Sequence, residues 1–338
     1  MPMPIDINIR SFFTRKVIAQ RIEASAKLVT PILSLVYKRK KQHPYPTIGV
    51  NVIKRVIQNV PVVRRGSSAV PMRRKGFSTD IINPQGIDTQ DFLSATDINN
   101  LKLLDTTNTQ ALVNGIVDDM LLTSKKTTEA LCAQSLKGVI RYPMKSDDGD
   151  EPYELSYITQ QDVHQYTGGQ FTSSSTIKTV FEAFTEMETM IQDDGWGGNI
   201  EILAGKDVYS QLLEICETKS TKNNHIKVRI DKKSIDIGGF TVRQVNASYK
   251  GYTSDTGTEI GTVKEIPEKS LVMIDLDAPH TLFYLALDDL KAGMQALPFF
   301  AAPGEVKDNP SGIEIIGRSK PIPAPVINAI CWFESAVE

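Results

Sequence analysis

Residues 44–90 constrain the fold more than any other stretch of this chain. They carry no helical period, and Pro44, Pro46, Pro61, Pro71 and Pro84 punctuate them. Two β-prone runs, Ile48 to Ile53 and Val60 to Val63, alternate apolar residues at Val50 and Val52 and again at Val60 and Val62. That period of two predicts ordered strands. Arg64-Arg65 and then Arg73-Arg74-Lys75 follow. A narrow two-stranded excursion interrupted by prolines and paired cations cannot build a core of its own. Long excursions of this kind are functional or disordered, and an ordered one needs another surface to satisfy its backbone groups.

Charge sharpens the same point. From Arg10 to Lys75 there are 16 Lys and Arg and one acidic residue, Glu23. With Asp6 included, residues 1–75 carry about +14, and the remaining 22 basic and 38 acidic residues give about −16. A chain divided in this way can attract copies of itself head to tail, or hold nucleic acid with its basic part. The 338 residues and ordinary apolar content allow a sizeable core, in two domains or one elaborate one.

Several function classes find no support. Cys132, Cys216 and Cys331 lie far apart with no CxxC pair, which argues for reduced, buried thiols in a cytosol rather than a disulfide framework or zinc site. The apolar run Leu28 to Tyr37 is half the length of a membrane span and contains Pro31. The acid-poor N-terminus imitates a transit peptide, but its basic character runs on past any usual presequence, and no signal-peptide pattern is present.

The periodicities predict an α+β chain. Residues 10–37 read as a helix with Phe12, Phe13, Val17, Ile22, Leu28, Ile32 and Leu35 on a loose stripe, interrupted at Pro31, before the solvated run Lys38-Arg39-Lys40-Lys41. Residues 109–137 predict a long helix, with Leu112, Ile116 and Met120 recurring and Gly138 as its stop. A hairpin follows around Asp147-Asp148-Gly149-Asp150. A second helix over 176–192 presents Ile177, Val180, Phe181, Phe184, Met187 and Ile191, with Gly195 beyond it. Strand 200–203, helix 206–217, strands 226–230, 235–237 and 240–245, a polar loop 247–262, strands 270–276 and 282–287, and a closing strand 326–333 complete the reading. Helices grouped apart from strands fit α+β rather than strict alternation.

Candidate chemistry is sparse. His43, His164, His225 and His280 are scattered with no partner at helical spacing, so no metal site is expected. The acidic group Asp147, Asp148, Asp150 and Glu151 lacks the spacing of a calcium loop and reads as a solvated turn. Gly195-Trp196-Gly197-Gly198 and Gly238-Gly239 do not fit phosphate-binding loops and read as turns. No nucleophile elbow or catalytic cysteine signature is present, and Asp288-Asp289 reads as a surface pair. Catalytic residues and cofactors are therefore expected to be none.

The basic segment remains. Its cations could neutralise phosphates, but the segment lacks aromatic interleaving for base stacking. The acidic remainder of the same sequence offers an alternative partner, another copy of the chain. A nucleic-acid-binding protein using the basic N-terminal region stays open as the second reading.

Ordered sequence features add a resemblance. Leu136-Lys137-Gly138 leads through a strand and an acidic turn into Tyr153-Glu154-Leu155. Gly239-Phe240, Val242 and Val245-Asn246 precede Ile266-Pro267 and Ser270-Leu271-Val272-Met273. Ile313-Glu314-Ile315, Arg318-Ser319, Pro321 and Pro325 come later. Behind a helical arm, a basic excursion, a long helix and a hairpin, this order resembles the bacteriophage lambda major head protein family, within the HK97-like capsid fold. The resemblance spans nearly the whole chain and lies in the order of parts, not in one diagnostic motif.

The resemblance implies a division into an N-terminal arm over 1–43, an E-loop over 44–90 and a P-domain over 91–175 carrying the long spine helix. An A-domain over 176–309 and C-terminal strands over 310–338 returning to the subunit core would follow. It implies a non-enzymatic major capsid protein of a tailed bacteriophage. Such a protein self-assembles in the host bacterial cytoplasm into the icosahedral shell of the virion, around double-stranded DNA. Implied partners are further copies in pentamers and hexamers, a portal, a decoration protein and packaged DNA bound non-specifically, with no membrane. About forty residues precede the E-loop, which implies a separate scaffolding protein. The E-loop would grip its neighbour through Arg64, Arg65, Arg73, Arg74 and Lys75.

Overall fold

A computed structural model describes residues 13–24, 26, 28–49, 81–102, 106–147, 149–156, 163–219, 226–254 and 256–337. Its helices are α1 (Arg15–Ala24), α2 (Pro31–Leu35), α3 (Ala95–Lys102), α4 (Thr106–Ser135), α5 (Ile177–Asp193) and α6 (Lys206–Lys219). Pro31 does not kink a continuous helix. It opens α2, because its missing N–H is not needed in a first helical turn.

The long helix α4 ends as its sequence predicts. Gly138 takes φ +77°, a left-handed conformation that favours glycine, and the chain reverses into the strand Val139–Ser146. That strand pairs with Gly149–Ser156 in the expected hairpin. In α5, Thr176 caps the helix by accepting from the Thr179 amide at 3.2 Å. Its stripe of Ile177, Val180, Phe184, Met187 and Ile191 is buried.

Seven strands form the central sheet. Their order is His164–Gln165, Ile330–Phe333, Leu271–Asp275, Ile200–Ala204, Phe240–Gln244, Ser234–Ile237 and Val228–Asp231. Both faces of its centre are buried, and the strand period of two deals residues alternately to two cores. Leu271, Met273, Cys331, Phe333, Ile202 and Ala204 face α5 and α6. Val272, Ile274, Ile330, Trp332 and Leu203 face the other way, onto Ile32, Val36, Tyr37, Ala133 and Leu136. The strand Leu271–Asp275 is therefore buried throughout, as its unbroken apolar run requires.

Three sequence expectations need correction. Residues 247–262 are not one loop: Ser248–Tyr252 and Ile260–Lys264 pair as a hairpin. Its polar side chains mask strands held by backbone bonds and by Arg141, which lies 4.6 Å from the Tyr252 ring and donates to the Ser254 and Gly257 carbonyls. Lys38 to Lys41 is not merely a solvated run: Arg39–His43 is a strand parallel to Thr281–Leu285, with its cationic side chains still exposed. Residues 87–90 belong to a third element, the strand Ile87–Ser94, which pairs with Ser311–Ser319.

The glycine turn at 195–198 has a structural role. The amides of Gly197, Gly198, Asn199 and Asp277 all donate to the Asp275 carboxylate, at 2.7–3.2 Å. Burial alone would raise this carboxyl, but the four donors outweigh it and hold it below its ordinary value. The stabilisation is present above the usual carboxylate range and is lost as pH falls through the lowered folded value. Asp275→Ala is expected to cost about 2–3 kcal/mol, since it strands several donors at once. Urea titration at neutral pH checks this, and the difference from the parent should shrink in acid.

Candidate inter-subunit contact surface

Arg64, Arg65, Arg73, Arg74 and Lys75, with the predicted strand Val60 to Val63, lie outside the described residues. The root of their segment is described. Ile48–Gly49 pairs antiparallel with Ile81–Ile82, so the excursion leaves and returns through neighbouring strands. Ile48 and Ile82 are buried against Leu131 of α4, Ile140 of the hairpin, and Phe283, Leu285, Ile322 and Ala324. The alternate position Ile81 is 68% exposed. One face of this two-stranded root is thus fixed to the long helix, and the other faces outward.

Just beyond the root, a charge network pins the returning strand. Arg318 meets Asp289 at 2.6 Å and Asp88 at 3.6 Å, and Lys320 meets Asp288 at 2.9 Å. Burial raises the Asp88 carboxyl, and Arg318 pulls it back down. Asp288-Asp289 is therefore not a simple surface pair. Its two carboxylates diverge to separate cations, and the Asp289 side chain is largely buried.

Acidic groups are displayed elsewhere. Asp147, Asp150 and Glu151 are exposed at the tip of the Val139–Ser156 hairpin, and Glu182, Glu186, Asp193 and Asp194 are exposed along and after α5. These are the kinds of group an arginine-bearing arm of another copy would pair with.

The other candidate groups serve packing. His280 is buried, its pKa lowered to about 4 by burial, with Nε2 against the Asp275 carbonyl and Nδ1 accepting from the Val326 amide. All three cysteines are buried and unpaired. Among the described residues no group of His, Cys, Asp and Glu is placed to hold a metal, and no helix is long and apolar enough to cross a membrane. Sequence reasoning missed Glu129 of α4, a buried carboxylate bonded to the start of α2. The available signal was its position as the one charged residue in the apolar and hydroxyl-bearing stretch 127–136.

A long helix running into a β-hairpin, a two-core sheet body, and a two-stranded excursion rooted on that helix define the HK97-like capsid fold. The chain belongs to the phage major capsid protein E family, matching it over residues 14–333. Among curated proteins no sequence matches it. It is similar to the structure of a protein assigned as the capsid protein of a prophage in E. coli CFT073, with a TM-score of 0.57 and 14% identity. That match covers 95% of this chain and 98% of the other. It is also similar to a phage-related protein from Bordetella bronchiseptica RB50, with a TM-score of 0.50, 11% identity, and 96% and 98% covered. At such identities the likeness shows the fold, and the α+β HK97-like expectation is borne out. The family match gives the chain a structural role in the capsid of a bacteriophage virion.

Proposed function

We propose that copies of this chain close into an icosahedral shell around double-stranded DNA, each laying the E-loop over 44–90, beyond its anchored root, across a neighbour. The observation that carries this reading is the anchored root. Ile48 and Ile82 fix both ends of the excursion to α4, while the intervening segment carries the arginine pairs and prolines of an extended arm. The charge division supports it further, because the basic arm of one copy has exposed acids on another to meet.

In this reading residues 1–43 are the arm, 91–175 the P-domain, 176–309 the A-domain and 310–338 the returning strands. Pentamers and hexamers form the shell in the bacterial cytoplasm, aided by a separate scaffolding protein and a portal, with a decoration protein added outside. Packaged DNA is touched non-specifically, and no catalysis is involved. Each exposed ion pair contributes only about 0–1 kcal/mol. Closed symmetry repeats it over every subunit, so weak and correctable contacts sum to a stable shell.

Negative-stain microscopy and sedimentation of the purified protein test this. Pentamers, hexamers or closed particles are expected, alone or with the scaffold. A monomer at every concentration and salt, with the scaffold present, would overturn the reading. Tight, salt-sensitive DNA binding by residues 1–75 without assembly would favour nucleic-acid binding instead.

A further inference from the structure

Glu129 joins three parts of the molecule. Its side chain projects from α4 and is 2% exposed. Both of its carboxyl oxygens accept backbone hydrogen bonds from α2, one from the Ile32 amide at 2.8 Å and one from the Leu33 amide at 2.7 Å. The carboxyl of Glu265, which follows the hairpin strand Ile260–Lys264 and is 7% exposed, lies beside that of Glu129, and among the described residues its Oε2 has no hydrogen-bond partner. A carboxylate has acceptors only, so two carboxyls in contact need a proton between them.

The surroundings do not supply a substitute for that proton. Tyr37, just past α2, and Cys132, one turn along α4, face Glu129. Tyr249 faces Glu265 from the hairpin. Burial raises all three, so they stay neutral at physiological pH. Lys126 of α4 is the cation acting on Glu265, with Lys40 felt at Cys132. One nearby lysine cannot balance two adjacent carboxylates that are both withdrawn from water.

We propose that the Glu129–Glu265 pair is a proton-operated latch that fastens the N-terminal arm to α4 and loosens it when the shared proton leaves. Without the proton, like charges push Glu265 from Glu129, and Glu129 can no longer stay buried against both α2 amides. The loosening is local. Tyr37 still bonds Ser135 at 2.6 Å, and the α5–α6 core contains neither glutamate.

The direction of the pH response follows. Burial pushes both carboxyls up, Glu129 to about 7, and Glu265 to about 8 with the charge of Glu129 adding to it. The folded protein therefore holds a proton that the unfolded chain has already lost. The stabilisation is full below the ordinary carboxylate range and fades as pH rises through the raised values.

Hydrogen exchange on the full-length protein tests the latch. Protection factors for the Ile32 and Leu33 amides, corrected for base-catalysed exchange, are followed from about pH 6 to about pH 9. In the parent they should fall about tenfold or more on the way up to the pair's raised values and then level off, because each pH unit between the ordinary and the raised carboxyl values shifts the opening equilibrium about tenfold. Phe184 in the other core should hold its protection. Glu265→Gln places a permanent amide donor against Glu129 and should flatten the profile. A flat profile in the parent overturns the proposal without need of any variant. So does a fall of equal size in Glu265→Gln, or a parallel loss at Phe184.

Discussion

Charge reversal at Arg64, Arg65, Arg73 and Arg74 together is expected to abolish particle formation while leaving the subunit folded. All four lie on the excursion that the proposed reading places over a neighbour rather than in the subunit's own cores. Each arginine changed to glutamate removes an attraction of about 0–1 kcal/mol and adds a repulsion of similar size. Four such changes, repeated in every subunit around a closed shell, shift assembly far more than any single contact suggests. Sedimentation velocity and negative-stain microscopy read the assembly, and circular dichroism with thermal melting reads the fold. Arg64→Glu with Arg65→Glu alone should give a partial defect that shrinks relative to the parent as salt is raised, because screening weakens the new repulsion and the parent's attraction alike. Normal particles from the fourfold variant would remove the E-loop from the account.

Trp332→Ala should give the largest loss of subunit stability. The indole is 1% exposed in the second core, and its Nε1 donates to the Leu136 carbonyl at 3.0 Å, tying the central sheet to the end of α4. Truncation opens a cavity costing about 3–5 kcal/mol, and leaves a buried carbonyl without its donor. Trp332→Phe keeps much of the packing but not the bond, and should cost about 1–3 kcal/mol. Urea denaturation of the unassembled subunit, followed by far-ultraviolet circular dichroism, gives both values. A cost under about 1 kcal/mol for the alanine variant would mean that the sheet and α4 are not joined through this side chain.

What the sequence revealed follows from where side chains, rather than backbone, report the structure. α5 was legible because its face repeats at helical spacing and is buried along its length. The hairpin after α4 was legible from its turn residues, with Gly149 at φ +128°. Arg39–His43 was not legible, because its three leading side chains are cationic and exposed while its backbone joins Thr281–Leu285. The Ser248–Lys264 hairpin was hidden because polar residues and glycines break up its strand pattern, although Tyr249 and Tyr252 are buried. The expectation that the excursion meets an outside partner came from its prolines and paired cations, but the two isoleucines that anchor it could not be read. Ile48 and Ile82 stand far apart in sequence, and their shared burial arises only once α4 and the strands around Phe283 are in place.

The central sheet also sets a timetable for the molecule. Leu271–Asp275 has one edge covered by Ile330–Phe333, and Arg39–His43 finds its partner more than two hundred residues later. Contacts this distant in sequence form late and slowly. A nascent chain short of residue 330 therefore presents an apolar, unpaired strand edge, a template for aggregation. Its basic excursion has by then already been synthesised. Release from the ribosome in a competent form thus waits on one strand, so incomplete chains carry a defect at their centre that would keep them out of a growing lattice.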